Sequence, residues 1–237
     1  MPFKKTFTED LEYLHDLLKS KIPYAITRFG DGEQMIMEGI KLNLLHKGEF
    51  NYTGQEDLKH DLIHSFQLNT ENYFVGIPCP CCQPVEKVTW MKESTYLPDS
   101  SLTWANIFVN GNYSYFMNSF IKDFNLYKTT FVGPGNIDNL PFNIDTKYQI
   151  GPDAWIHNKG IYEELRNQII TTNAENQLFL FCAGPFANIL VSKLYKEFPK
   201  NTYLDLGSVF NIELGIGANR GYLSNNNNNI NKICIWN

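Results

Sequence analysis

The sequence predicts an α/β fold, Rossmann-like, with a mostly parallel sheet and helices on both faces. Three observations predict it. Short apolar runs of strand length alternate with stretches of helical periodicity, the pattern of βαβ units. The strongest run, "NQLFLFCAGP" at 176–185, is continuously apolar from Leu178 to Cys182, as in a strand buried on both faces of a parallel sheet. Most runs end in glycine-rich turns: "RFGDGE" at 28–33, "GPGN" at 133–136, "GPD" at 151–153, "CAGP" at 182–185 and "DLGS" at 205–208. Beyond the carboxyl ends of parallel strands is where such a sheet binds ligands.

The elements follow in order. Thr8 is expected to cap a first helix with Leu11, Leu14, Leu17 and Leu18 on one face. A strand at 22–27 leads through the glycine–acid turn into a helix carrying Met35, Ile36 and Ile40. Residues 55–68 read as an amphipathic helix and "NYFVGIP" as a strand ending in a loop. "VEKVTWMKES" and "NYSYFMNSFIKDF" read as helices, "TTFVGPG" as a strand closing in a turn, and "YQIGPDAWI" as a short strand before Gly-Pro-Asp. A helix at about 160–171 precedes the strong strand. "FANILVSKLYKEF" is then a helix with Phe186, Ile189, Leu190 and Leu194 in register, and "TYLDLGS" the next strand. The asparagine run at 225–229 reads as a low-complexity loop and "INKICIWN" as a final strand. No repeat or linker divides the chain, so one domain spanning 1–237 is expected.

Composition narrows the function. Twenty Lys and Arg against 25 Asp and Glu give a net charge of −5, the wrong sign for a surface that collects phosphate backbones, so no nucleic-acid partner is expected. The N-terminal stretch turns acidic where a secretory signal needs an apolar core, and the longest apolar stretch is too short to span a bilayer. A cytoplasmic protein without a transmembrane segment is expected. The five cysteines are an odd number, which disfavours a disulfide framework. Three of them sit in "IPCPCCQP"; a zinc site there would have to draw on Cys182, Cys234 or scattered histidines, and the plainer expectation is a Pro-rich loop with reduced thiols. His60 and His64 are spaced i, i+4, and with no third ligand in register they read as a partly exposed helix face.

The turn "RFGDGE" carries more charge than a strand-to-helix turn requires. No G-x-x-x-x-G-K-[ST] or G-x-G-x-x-G motif occurs, which argues against ordinary P-loop kinases and dinucleotide dehydrogenases. Asp31 and Glu33, one residue apart at a strand end, can hold a hard divalent ion and leave positions open for substrate phosphates. The flanking glycines let the backbone approach a ligand. Arg28 is either a cationic clamp or a partner that holds the turn through Asp31.

"RFGDGE", "VGIP", "AGPFANILVSKL" and "YLDLGSVFNIE", in that order and at similar spacing, resemble the GT-D glycosyltransferases, a family first catalogued as a domain of unknown function. The resemblance covers about residues 20 to 215. It implies a GT-D-type Rossmann-like fold, a nucleotide-sugar donor such as UDP-glucose or another UDP-hexose, a divalent ion (Mn2+ or Mg2+) and a glycan, glycoprotein or lipid-linked sugar acceptor. Carried over, Asp31 and Glu33 are the D-x-E acids, with Arg28, Phe29, Gly30 and Gly32 in the same donor-binding motif. Ala183, Gly184 and Pro185 would present backbone N–H groups to a diphosphate at a helix N-terminus. The chain departs from the family after the last core strand, where members often read Gly-His-x-Asp and this one reads "GSVFNIE", so the acid or His expected there is either missing or displaced to Glu213.

If the reaction inverts the anomeric centre, a general base is needed, and Asp153, Glu213 and Glu33 are the candidates. Asp153 stands beside Trp155 and His157, a sugar platform, and reads equally as a helix N-cap. A second reading takes "YLDLGS" as the strand-Asp-x-Gly of a Rossmann-type S-adenosylmethionine-dependent methyltransferase, although that motif ordinarily comes early in the chain. A third is a nonenzymatic sugar-binding scaffold, which leaves the D-x-E turn without purpose. The aromatic segment "NGNYSYFMNSF" is expected to form either a homo-oligomer interface or an acceptor groove.

Overall fold

The computed structural model describes residues 6–45, 50–218, 220, 223 and 233–235. The asparagine run at 225–229 lies outside them, as does most of the expected closing strand; residues 233–235 have no strand conformation. The first helix, α1 (Phe7–Lys19), is capped by Thr6 rather than Thr8. Glu9 decides this, because its carboxylate reaches back to the Thr6 N–H at 3.0 Å and completes a capping box.

The elements that follow are β1 (Ala25–Arg28), α2 (Asp31–Met37), β2 (Leu42–Asn43), β3 (Asn51–Tyr52), α3 (Glu56–Phe66), β4 (Tyr73–Ile77), α4 (Val85–Thr95), β5 (Leu102–Trp104) and α5 (Tyr113–Asn118). Then come β6 (Thr129–Gly133), β7 (Thr146–Gln149), α6 (Ala154–His157), α7 (Ile161–Thr172), β8 (Leu178–Phe181), α8 (Pro185–Glu197) and β9 (Thr202–Asp205). Seven strands form one sheet in the order β5-β4-β1-β9-β8-β6-β7, and every pairing in it is parallel. Strands β2 and β3 make a separate antiparallel ribbon.

Adjacent residues of β4 show that helices cover both faces, since neighbouring side chains on a strand point to opposite sides. The Tyr73 hydroxyl bonds the Ser65 carbonyl oxygen of α3 at 2.9 Å and its ring meets Tyr195 of α8, whereas Phe74 meets Tyr13 of α1. Leu178 to Phe181 are wholly buried, which accounts for the unbroken apolar run of β8.

Three expectations are corrected. Strand β1 starts at Ala25, not at residue 22, where Ile22 is exposed. The expected helix at 112–124 ends at Asn118 and continues as a 3-10 helix over Phe120–Leu126. Its aromatics form no surface patch: Phe116, Phe120 and Phe124 are fully buried against one another, and the Tyr115 hydroxyl bonds His15 Nδ1 at 2.7 Å. No helix among the described residues is long and apolar enough to cross a membrane.

Candidate functional site

The carboxyl ends of the strands open onto a cavity of about 310 Å³. Its walls come from the turns after β1 (Arg28, Gly30, Asp31, Glu33), β6 (Pro134), β7 (Gly151, Pro152, Asp153), β8 (Cys182, Ala183, Gly184, Pro185, Phe186) and β9 (Gly207, Ser208, Asn211). Ala105, Asn106 and Val109 after β5 complete the rim, with Phe50, Trp155 and Arg220. The volume lies at the low end of the range for small-molecule sites, roughly 300–1,000 Å³.

Arg28 builds the floor. Its Nε donates to the carbonyl oxygen of Asp205 at 2.8 Å and its Nη1 to that of Ala105 at 3.1 Å, so one guanidinium links the turns after β9 and β5. Asp205 answers with its side chain: Oδ2 accepts from the Arg28 N–H and Oδ1 from the Gly207 N–H, both at 3.0 Å. Arg28 therefore pairs with Asp205, with Nε and Oδ2 3.9 Å apart, and not with Asp31. Burial raises the Asp205 carboxyl above its ordinary range, and the Arg28 charge offsets part of that. Each oxygen of Asp205 thus accepts a backbone N–H, which fixes the carboxylate as part of the floor.

The glycine–acid turn after β1 starts α2. Asp31 and Glu33 are the first and third residues of that helix, positions whose side chains diverge in a helix interior, yet at its open end both reach the cavity. Glu33 Oε2 turns back to accept from the Gly30 N–H at 2.9 Å and thereby caps its own helix. Burial, reinforced by the Asp205 and Asp31 charges, pushes the Glu33 carboxyl up to about 7 in spite of that bond. Asp31 is exposed, and its Oδ1 accepts from the Gly32 N–H at 3.0 Å. Hard oxygen donors with excess negative charge on a cavity wall suit a divalent cation, whose charge would offset the burial and the neighbouring carboxylates that hold the proton on Glu33.

The turn after β8 places Gly184 at φ +54° before Pro185, the first residue of α8. The α8 N-terminus thus faces the cavity, with Pro185 at the position where a missing N–H costs nothing. Asp153, also left-handed at φ +53°, lines the cavity, is 8% exposed and accepts from the Asn51 N–H through Oδ1, tying the β2–β3 ribbon to the rim. Its side chain makes no cap bond to α6. Trp155 lines the same wall against Phe186, with Lys159 Nζ 4.5 Å from its ring centre.

Four sequence-derived candidates stand elsewhere. Phe29 is wholly buried and packs on Phe66 at 4.7 Å, so it belongs to the core. Gly32 lies under Phe50: a Cβ there would meet the ring at 2.9 Å. Glu213 is not on the cavity wall, and its Oε2 is buried without a hydrogen-bond partner among the described residues. His157 is exposed, and only Trp155 of the expected platform reaches the cavity.

Sequence reading missed the roles of Asp205, Gly207 and Phe50. The "DLGS" turn marked the position of the first two, but pairing with a residue 177 positions away leaves no local signal. Phe50 bridges two glycine turns, its ring 3.4 Å from a Cβ built at Gly184 as well as close to Gly32, and nothing in a loop phenylalanine announces that.

Solved structures share this architecture. One described as a new glycosyltransferase (DUF1792) from Streptococcus sanguinis aligns over 98% of this chain and 93% of its own, with a TM-score of 0.57 and 16% identity. Another, described as showing that the highly conserved domain of unknown function 1792 has a distinct glycosyltransferase fold, aligns over 84% of this chain and 77% of its own, with a TM-score of 0.55 and 18% identity. No family model and no curated protein matches the sequence. At these identities the likeness is one of fold, and this chain has that fold.

Proposed function

We propose that this protein is a glycosyltransferase that moves a hexose from a UDP-linked donor to a glycan, glycoprotein or lipid-linked sugar, with Mn2+ or Mg2+ as cofactor. The observation that carries the reading is the meeting of two anion-handling devices on one cavity: the Asp31–Glu33 carboxylate pair and the N-terminus of α8. A diphosphate needs both, a cation on one side and backbone N–H groups with a positive helix end on the other. The fold likeness to proteins described as glycosyltransferases supports the same assignment.

Asp31 and Glu33 would hold the cation. Bound there, it would supply Lewis-acid stabilisation of the departing nucleoside diphosphate, worth several kcal/mol, or on the order of a thousandfold in rate. The chain's own residues do the rest. Gly30 and Gly184 keep the two turns free of side chains where the donor backbone approaches, and Phe50 closes the space between them. Arg28 and Asp205 keep the strand ends together under the leaving group. Asp153 is assigned the general-base role: the Asn51 N–H holds one carboxylate oxygen, orienting the other to accept the proton of the acceptor hydroxyl. Trp155 offers a flat apolar face for a sugar ring.

Calorimetric titration of UDP into the full chain, with manganese and then with excess chelator, tests the reading. Binding that requires the cation and disappears in Asp31→Asn is expected. Binding indifferent to chelator removes the cation role, and failure of UDP to bind under either condition removes the UDP donor.

A further inference from the structure

We propose that Cys79, Cys81, Cys82 and Cys234 form a tetrathiolate site for one structural zinc ion, which ties Cys234 to the loop after β4. Four of the five cysteines converge here although one comes from 152 positions further along the chain than its neighbour Cys82, and all four sulfurs lie within 4.8 Å of one another. Sequence spacing pointed equally to Cys182 as a distant partner; the fold selects Cys234 and leaves Cys182 on the cavity wall.

The spacing matches the ion. Bonds of about 2.3 Å to four sulfurs at tetrahedral angles put neighbouring sulfurs about 3.8 Å apart. Cys81 and Cys82 are 3.8 Å apart, Cys82 and Cys234 3.9 Å. Cys79 and Cys81, at 2.8 Å, need about 1 Å of outward thiol rotation to complete the figure. A polynuclear iron–sulfur cluster inserts its own atoms between the thiolates and needs them wider apart. Magnesium and manganese prefer oxygen donors, so this site does not compete with Asp31 and Glu33 for them.

The surroundings suit a closed structural site. Cys79 and Cys234 are buried, and the Asn110 side-chain amide donates to Cys234 Sγ at 3.6 Å, the kind of outer contact that orients a metal-bound thiolate. Asn110 adopts φ +54° and directly follows Val109 of the cavity rim. On binding, each thiol gives its proton to solvent, and four sulfur–zinc bonds form with no redox change. The zinc then holds Cys234 beside Asn110, next to the wall that Ala105, Asn106 and Val109 contribute to the cavity.

The test is the metal content of the untagged full chain by mass spectrometry, for wild type, Asp31→Asn, Cys82→Ser and Cys234→Ser. The expected result is about one zinc per chain in wild type and Asp31→Asn, with loss in both cysteine variants. Should those variants not fold, the metal-stripped wild type titrated with cobalt decides: the visible and charge-transfer bands of tetrahedral cobalt thiolate, bleached by zinc, are expected. Protein that purifies without metal and develops no such bands overturns the proposal, as does stoichiometric iron or a Cys79–Cys81 disulfide in zinc-replete protein.

Discussion

Gly207→Ala is expected to dismantle the floor of the cavity. Gly207 has φ +55°, and a Cβ there would lie 1.7 Å from Arg28 Nη2, far inside any contact distance, so the guanidinium must leave its place. Leaving breaks the bonds to the carbonyl oxygens of Asp205 and Ala105 and strips a buried carboxylate of its cation. Separating a buried pair costs about 3–5 kcal/mol. The left-handed backbone adds roughly 1–2 kcal/mol for alanine. A loss of about 5 kcal/mol lowers Tm by roughly 10–20 °C in a chain of this size. Circular dichroism of Gly207→Ala, Arg28→Met and the double variant measures it. With Arg28 already shortened, the alanine should cost only the backbone share, about 1–2 kcal/mol. A Tm for Gly207→Ala within a few degrees of wild type, or the same loss in both backgrounds, would refute the clash.

Glu33→Gln should keep the bond from the Gly30 N–H, and hence α2, while transferase turnover falls on the order of a thousandfold, as it should in Asp31→Asn; wild-type turnover in both sinks the cation role. Because burial raises Glu33 to about 7 from an ordinary 4.5, its contribution to stability is full below the unfolded value and is lost as pH rises through about 7. The proton competes with the cation over the same window, so manganese affinity should climb about tenfold per pH unit up to pH 7 and then level off; calorimetry that finds a flat profile contradicts the shift. Asp153→Asn tolerates the left-handed backbone and still accepts from Asn51 N–H, so Tm should hold while kcat drops by about a hundredfold or more; an unchanged kcat would reduce Asp153 to an anchor for the ribbon.

Much of the fold was legible because it rests on periodicity. The unbroken apolar run Leu178–Phe181, bounded by turn residues, pointed to a doubly buried strand, and the glycine turns marked the strand ends that line the cavity. Shorter signals failed. The edge strand β5 has three residues and the β2–β3 ribbon two per strand, too few for a pattern to emerge. The segment "NGNYSYFMNSF" carries no local cue to burial, and tertiary packing places its Phe116 and Phe120 inside.

By itself the sequence determined the α/β class, the rim of turns and the acidic pair in "RFGDGE", since each depends on residues close together in the chain. Only the tertiary structure decided that Arg28 belongs to Asp205 and not to Asp31, that Phe29 is core, that Glu213 is off the cavity, and that Cys234 rather than Cys182 joins the cysteine loop. The physical reason is common to all four. Charge pairing, burial and sulfur clustering act over a few ångströms of space, and parallel strands bring such neighbours together from opposite ends of the chain, where no local pattern records them.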